Sequence, residues 1–189
     1  MTLAVLSTLL RGAYGHQGTA VLGGVAFQER PVPSAGARYP LELSLLVLDV
    51  EGIEGGIYRY AALEHALAPA GPAPARALIA DLFLGQPYLM NASVIVLLTA
   101  VVERLLERYG DRGYRYVLFE AGHVAQNVAL LATASGLGAL SLGGFLDDQL
   151  AGLLGLDVEQ EIPVYGIALG IPATRDRALA RSLGMPSGW

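Results

Sequence analysis

Cysteine and lysine are both absent from this sequence of 189 residues. Without cysteine the chain cannot form disulfides, iron–sulfur clusters or thiolate zinc sites, although a metal site of histidine and carboxylate ligands stays open. Without lysine it cannot form a Schiff base through a side chain or build a P-loop nucleotide site. If the protein is an enzyme, it must use general acids and bases, hydroxyl groups, a metal, or a cofactor that carries the chemistry.

Long apolar runs and clusters of positive charge are also lacking. The longest apolar run, residues 92–102, is broken by Ser93 and Thr99 and is shorter than the roughly 20 residues that a membrane-spanning helix needs. No positively charged region precedes an apolar one at the amino terminus, so we expect a cytoplasmic protein. The basic residues are 12 arginines scattered along the chain and the formal net charge is -5, which argues against a nucleic-acid partner.

The hydrophobic content of 53% is enough for one domain with a core, which we expect to cover residues 1–189. Helical and strand patterns mix without a strict βαβ rhythm, which favours an α+β sandwich. An Ala/Pro/Gly-rich loop is expected at residues 66–76. The longest predicted helix, residues 115–138, is apolar almost all round, as a helix buried in a large core or in a dimer would be. The predicted helices cover residues 2–10, 75–85, 102–110, 115–138 and 147–156, and the predicted strands cover residues 43–50, 56–60, 91–102 and 163–170.

Three polar residues, Glu120, His123 and Asn127, interrupt the long helix at spacings of three and four, so they share one narrow stripe. Glu120 and His123 could be a metal or acid–base pair, but two such side chains are too few for a catalytic metal. The spacing favours a hydrogen-bonded polar seam between helices. Tyr114, just ahead of the same predicted helix, could donate a proton or could simply pack.

Two further groups could bind a cofactor. Gly143 and Gly144 precede a helix that we expect Asp147 to cap, and such a pair exposes backbone N–H groups to a flat ring, although a simple turn has the same pattern. Arg175 and Arg177 lie two residues apart beyond the last strand, so both could hold a phosphate from one side of an extended segment. The equal alternative is that Arg175 and Arg177 are solvent-exposed charges in the carboxyl-terminal tail and bind no ligand.

The order of several short segments along the chain resembles the nitroreductase superfamily, and most of all its SagB-type branch, which includes the azoline dehydrogenases of peptide-natural-product pathways. The similarity runs from about residue 30 to residue 170. PSAGARYPLE and EAGHVAQN are its most specific parts. The matching segments are, in order, PSAGARYPLE, GIYRY with His65 after it, LGQP, YGDRGYRYVLFEAGHVAQN, LGGF and PVYGIALG.

The resemblance implies a nitroreductase-like α+β fold, an intertwined homodimer, and FMN bound in two sites at the dimer interface. In that family the Pro-Ser-Ala-Gly segment lies along the isoalloxazine, the later glycine pair approaches N5 and O4, and basic residues beyond the last strand help to hold the phosphate. The residues of this chain at those positions are Pro33, Ser34, Ala35 and Gly36, then Gly143 and Gly144, then Arg175 and Arg177.

Two departures from the family pattern bear on function. Family members usually begin with an arginine- and serine-containing phosphate-binding segment, and residues 1–30 lack it, so Arg11 or Arg38 would have to substitute. In members that oxidise azolines, a lysine precedes a tyrosine near the start of the long helix. That lysine corresponds to Gly113 here, with Tyr114 retained, so we do not expect azoline dehydrogenation.

The expected function is therefore an FMN-dependent oxidoreductase that transfers hydride through flavin N5 to or from a small organic substrate. Tyr114 is the candidate proton donor, and NAD(P)H is one candidate electron donor. The alternative is a flavin-free dimeric partner or scaffold subunit of a biosynthetic complex, which the missing amino-terminal segment favours.

Overall fold

The computed structural model describes residues 1–172, which form a six-stranded antiparallel sheet with helices on both faces, as the α+β prediction requires. The strands of this sheet run in the order β5-β4-β3-β6-β8-β7, and β1 and β2 form a separate hairpin. The helices are α1 (Leu3–Tyr14), α2 (Arg76–Leu82), α3 (Glu103–Tyr109), α4 (Arg112–Ala134) and α5 (Asp147–Leu154). The strands are β1 (Gly18–Leu22), β2 (Val25–Glu29), β3 (Leu41–Val47), β4 (Gly56–Ala61), β5 (Ala66–Pro72), β6 (Val94–Ala100), β7 (Gly138–Leu142) and β8 (Ile162–Gly170).

The central strands β3 and β6 are buried on both faces. Alternate residues of a strand point to opposite sides of a sheet. Leu43 and Leu45 therefore join a first core cluster with α1 and α4, whereas Leu46 joins a second cluster with α2 and α5. Every residue of β6 is buried, which explains why this segment gave the longest apolar run in the sequence.

Helix α4 has two apolar faces, and the described residues cover one of them. The core-facing residues recur every three or four positions and include Val117, Ala121 and Val124. On the other side, large apolar side chains such as Leu118 and Phe119 are exposed. The helix begins at Arg112, three residues before the predicted start, and ends at Ala134, four residues before the predicted end, where a left-handed glycine and then β7 follow.

The predicted loop at residues 66–76 was wrong, since most of it is the strand β5. Proline has no backbone N–H, so Pro69 and Pro72 would exclude a strand only where every N–H is needed for pairing. β5 lies at the edge of the sheet and pairs on one side with β4, so the missing N–H groups are tolerated.

The β1–β2 pair and the pairing of β7 with β8 were also missed. The β1–β2 hairpin turns at Gly23 and Gly24, whose φ values of 59° and 81° permit the tight two-residue turn that matches strand twist. The strand β7 follows Gly136, which has a φ of 73° and lies just beyond the end of α4.

Candidate functional site

Residues 30–39, called the 30–39 loop below, connect β2 to β3 through a tight turn. Three residues have left-handed backbone conformations, with φ of 62° at Gly36, 53° at Ala37 and 44° at Tyr39. Glycine adopts this conformation freely, whereas other residues pay about 1–3 kcal/mol each and keep it only where their surroundings fix it. The Ser34 hydroxyl oxygen fixes one end of the turn by accepting a hydrogen bond from the Tyr39 N–H at 2.8 Å.

Arg30 and Tyr39 tie the two ends of the loop together. The Arg30 guanidinium lies between two aromatic rings, with its carbon 4.4 Å from the ring centre of Tyr14 and 4.8 Å from that of Tyr39. The Arg30 backbone N–H also donates to the Tyr39 hydroxyl at 3.2 Å. Cation–π contacts of this kind are worth about 0.5–2 kcal/mol each, more when water is excluded. They therefore hold the loop against α1.

Glu120 of α4 lies beneath this cluster and is 2% exposed. One of its carboxylate oxygens accepts a hydrogen bond from the Tyr14 hydroxyl at 2.8 Å, and the other is buried with no protein partner among residues 1–172. Burial raises the pKa of the Glu120 carboxyl above its usual range, while the hydroxyls of Ser34 and Tyr14 and the charge of Arg30 act in the opposite direction. Burial and the neighbouring Glu120 also raise the pKa of Tyr14.

Two of the three residues in the polar stripe predicted on the long helix make the expected hydrogen bonds to neighbouring elements. Glu120 bonds to Tyr14, and the Asn127 side chain donates to the carbonyl oxygens of Pro31 at 3.0 Å and Ala13 at 3.5 Å. These contacts form the expected polar seam between α4, α1 and the 30–39 loop. His123 is exposed and takes no part in the seam.

The raised pKa of Glu120 predicts a specific pH dependence of stability. The folded state keeps this proton to a higher pH than the unfolded state does, so the stabilisation is present below the ordinary pKa of 4.5 and is lost as pH rises above it. Glu120→Gln mimics the neutral carboxyl and removes this loss. We expect the stability of the wild type relative to Glu120→Gln to fall as pH is raised from about 4 to about 8, measured by denaturant unfolding. The exposed Glu64→Gln is the control, and a constant wild-type difference would contradict the assignment.

The residues predicted to lie along a flavin occupy the outer surface of the 30–39 loop. Pro33 and Gly36 are exposed, and Ser34 and Ala35 are half-buried. A Cβ at Gly36 would lie 2.8 Å from the Tyr109 hydroxyl of α3, so a larger residue would displace that side chain and also strain the backbone at a φ of 62°.

Two other predicted site residues, Arg38 of the 30–39 loop and Tyr114 of α4, have exposed side chains. Arg38 is exposed, and its guanidinium lies 3.7 Å from the carboxylate of Glu107, an arrangement typical of weak surface ion pairs. Tyr114 lies in the first turn of α4 with 48% of its surface exposed. About half of the Tyr114 surface is thus in contact with solvent.

Gly143 and Gly144 lie in the connection between β7 and α5. A Cβ at Gly143 would lie 3.6 Å from the Tyr165 ring, and one at Gly144 would lie 2.9 Å from a methyl carbon of Leu84. Asp147 is in the first turn of α5 and not at its cap, which is Leu146.

The two predicted flavin-contacting segments have different surroundings in one chain. Ala35 and Ala37 pack against the first core cluster, whereas Phe145, next to the glycine pair, packs against the second cluster. These clusters lie on opposite faces of the sheet. The described contacts therefore do not bring the two segments together within one copy, and Arg175 and Arg177 lie outside the described residues.

Gly113 is buried at the point where α4 begins against α3. A Cβ there would lie 2.8 Å from the carbonyl carbon of Leu105 and 2.9 Å from the backbone nitrogen of Leu106. Backbone atoms cannot move aside as the end of a side chain can. The position that we expect to correspond to the lysine of azoline-oxidising members thus has no room for any side chain.

Tyr14, Arg30 and Tyr39 were missed by the sequence reasoning. Arg30 and Tyr39 directly flank the PVPSAGAR segment, so their position beside a proposed site was a usable signal. Nothing in the local pattern distinguishes Tyr14 from an ordinary core residue of α1.

Residues 1–172 contain neither a membrane-spanning helix nor a metal-binding cluster. Their helices include none with the length and apolar character that crossing a bilayer requires. In the same residues, His, Asp and Glu side chains do not gather in groups of three or more that could hold a metal ion.

Residues 1–171 match the family described as the nitroreductase family. The chain belongs to the nitroreductase family. MJ1384 of Methanocaldococcus jannaschii, a protein named as a nitroreductase, is 39% identical to it over 170 residues, which are 90% of this chain and 81% of that protein.

Solved structures agree with the predicted nitroreductase-like fold. A crystal structure of a nitroreductase from Anabaena variabilis matches with a TM-score of 0.82 and 28% identity, covering 89% of this chain and 34% of that one. The Escherichia coli microcin synthetase McbBCD complex, with truncated pro-MccB17 bound, matches with a TM-score of 0.79 and 28% identity, covering 92% of this chain and 65% of the matched chain. This chain thus spans less than two thirds of the chains in both structures.

Proposed function

We propose that the protein is an FMN-dependent oxidoreductase of the SagB type that transfers hydride through flavin N5 to or from a small organic substrate. The observation that carries this proposal is the 30–39 loop. Its turn is held in an uncommon backbone conformation by a buried network, and it presents the exposed Gly36 on its outer surface. Membership of the nitroreductase family and a fixed loop with an exposed glycine support the same function.

The residues present fit FMN in their chemistry. Gly36, Gly143 and Gly144 have no side chains and offer backbone N–H groups, which can approach a ring edge and stabilise negative charge on it. When bound, the flavin supplies the two-electron chemistry that a chain without cysteine and lysine cannot supply itself. The hydroxyl of Tyr114, exposed at the start of α4, can give a proton to the substrate.

We further propose that a second copy of the chain completes the site. No described contact joins the PSAG segment to the glycine pair within one chain, and Phe145 beside the pair packs against the second cluster, so a cofactor that contacts both would need the pair from another copy. The exposed apolar side of α4, with Tyr114, Leu118 and Phe119, is a surface that an aqueous monomer rarely keeps uncovered. Dimerisation would cover it.

The proposal predicts that the purified protein is a dimer that binds FMN. The measurement is a titration of the flavin-free protein with FMN, followed by flavin fluorescence and by the melting temperature, with sedimentation velocity on the same sample. We expect saturable binding, a higher melting temperature and a dimer; reduced nicotinamide should then bleach the flavin absorbance if it is the donor. A protein that neither binds FMN nor changes its melting temperature would contradict the enzyme proposal.

The second candidate is a flavin-free partner subunit of a biosynthetic complex. It is favoured by the structural similarity to a chain of the McbBCD complex. A dimer without flavin affinity is the result that this candidate predicts.

A further inference from the structure

Three side chains outside the candidate flavin site form a continuous hydrogen-bonded chain. The Ser7 hydroxyl of α1 lies 2.8 Å from Nε2 of His65, and Nδ1 of the same ring lies 2.8 Å from the hydroxyl of Tyr60. His65 sits in the turn between β4 and β5, so the chain joins α1 to the β4–β5 hairpin. All three residues line one cavity of about 320 Å³.

The Ser7–His65–Tyr60 network has one more donor hydrogen than its two internal hydrogen bonds use. Each of the two hydroxyls has one hydrogen, and a neutral imidazole has one N–H and one bare nitrogen. Three hydrogens therefore serve two hydrogen bonds, which leaves one hydroxyl hydrogen free, on Tyr60 or on Ser7 according to the tautomer. Neither hydroxyl has a second protein partner among the described residues. The free donor must therefore be met by water or by a ligand acceptor.

The rest of the cavity wall is mostly apolar. Four large aliphatic residues line it: Leu3, Leu10, Ile53 and Leu67. The volume is at the lower end of the range of about 300–1,000 Å³ that is typical of small-molecule sites. A hydrocarbon body with a single polar end is the shape and polarity that this wall accommodates.

Positive charge lies next to the polar end of the cavity. Arg11 follows Ser7 by four residues on α1, so both lie on the same side of the helix. The charges of Arg11 and Arg30 partly oppose the effect of burial, which raises the pKa of Tyr60. Within residues 1–172, no acidic side chain lines the cavity. An anionic acceptor is therefore favoured over a neutral or cationic group.

We propose that this cavity binds a small monocarboxylate with an apolar body, whose carboxylate accepts the free hydrogen of the Ser7–His65–Tyr60 chain. None of the cavity residues belongs to the PSAG segment or to the Gly143–Gly144 pair. The cavity wall thus shares no residue with the two segments proposed to contact the flavin, and the proposal does not depend on the flavin chemistry.

The first test uses the unmodified protein and sodium octanoate as the probe. The chain has 3 histidines, so the ring nitrogens of His16, His65 and His123 can be followed individually by NMR. We expect octanoate to shift the His65 ring signals saturably and to leave those of His16 and His123 unchanged. Octylammonium has the same tail and a cationic head without an acceptor, and it should not bind. Absence of a saturable His65 shift, or equal binding of octylammonium, would overturn the proposal.

The second test removes the hydroxyl donors. Because the free hydrogen can be on either hydroxyl, Ser7→Ala and Tyr60→Phe are combined, and we expect octanoate affinity to fall at least about tenfold. Thr8→Ala is the matched control, since the Thr8 hydroxyl donates to the Ala4 carbonyl oxygen and does not line the cavity. Unchanged affinity in the double variant would overturn the proposal. Both tests are run with and without FMN, so a failure of flavin binding is recorded separately.

Discussion

Gly113→Ala is expected to lower the free energy of unfolding by about 3 kcal/mol, the largest stability effect that we predict for a single added methyl group. The new Cβ would lie 2.8 Å from the carbonyl carbon and 2.9 Å from the carbonyl oxygen of Leu105. Helices α3 and α4 meet backbone to backbone there, so they would have to separate. Denaturant unfolding monitored by circular dichroism measures the change.

Gly122→Ala is the matched control for this prediction. Gly122 lies in the middle of the same helix, and a Cβ there would meet no atom within 4 Å. Replacing an unobstructed helical glycine by alanine should stabilise the protein by about 0.5–1 kcal/mol. Equal stability of the two variants would show that the α3–α4 contact is looser than described.

The same geometry makes a prediction about restoring the family lysine. Gly113→Lys adds the same Cβ as Gly113→Ala, so we expect it to be at least as destabilising and to confer no azoline oxidation. This distinguishes a position that has merely lost a catalytic side chain from one whose surroundings exclude it.

Gly36→Val is expected to weaken FMN binding at least about tenfold while the protein stays folded. Valine is strongly disfavoured at the φ of 62° that Gly36 adopts, and its Cβ would lie 2.8 Å from the Tyr109 hydroxyl. The turn would therefore have to rearrange, and with it the surface that we propose lies along the flavin. Fluorescence titration with FMN measures the loss of affinity.

Gly24→Val is the control for backbone strain. Gly24 also has a left-handed conformation, with a φ of 81°, but no atom lies within 4 Å of a Cβ there and it is in the β1–β2 turn. We expect this variant to lose a similar amount of stability and to keep its FMN affinity. Equal FMN affinity of Gly36→Val and the wild type would show that the 30–39 loop does not contact the flavin.

The central sheet could be predicted from the sequence because β3, β6 and β8 are strongly apolar and long enough to stand out. The edge strand β5 could not, because Pro69 and Pro72 indicate a loop unless the strand is known to pair on one side. The β1–β2 hairpin was missed for the opposite reason. It is exposed on both faces, so it shows none of the burial pattern by which strands are recognised.

The residues on the outer surface of the candidate site were predicted from the sequence. The buried residues that hold the 30–39 loop in place were not. Ser34 and Gly36 belong to a recognisable local segment, whereas Tyr14 and Glu120 are separated by 106 residues and meet only through the packing of α1 on α4. A spacing pattern on one helix could indicate that Glu120 faces another helix. It could not identify the tyrosine that donates to it.

The two edges of the six-stranded sheet differ in their capacity to recruit further strands. On the β5 edge, Pro69 and Pro72 replace two of the N–H groups that an added strand would need, which protects this side from edge-to-edge association. The β7 edge contains no proline, and its Ala139, Leu140 and Ser141 are exposed. Within the described residues, the β7 edge therefore offers backbone N–H groups for pairing with an added strand at positions where the β5 edge has proline.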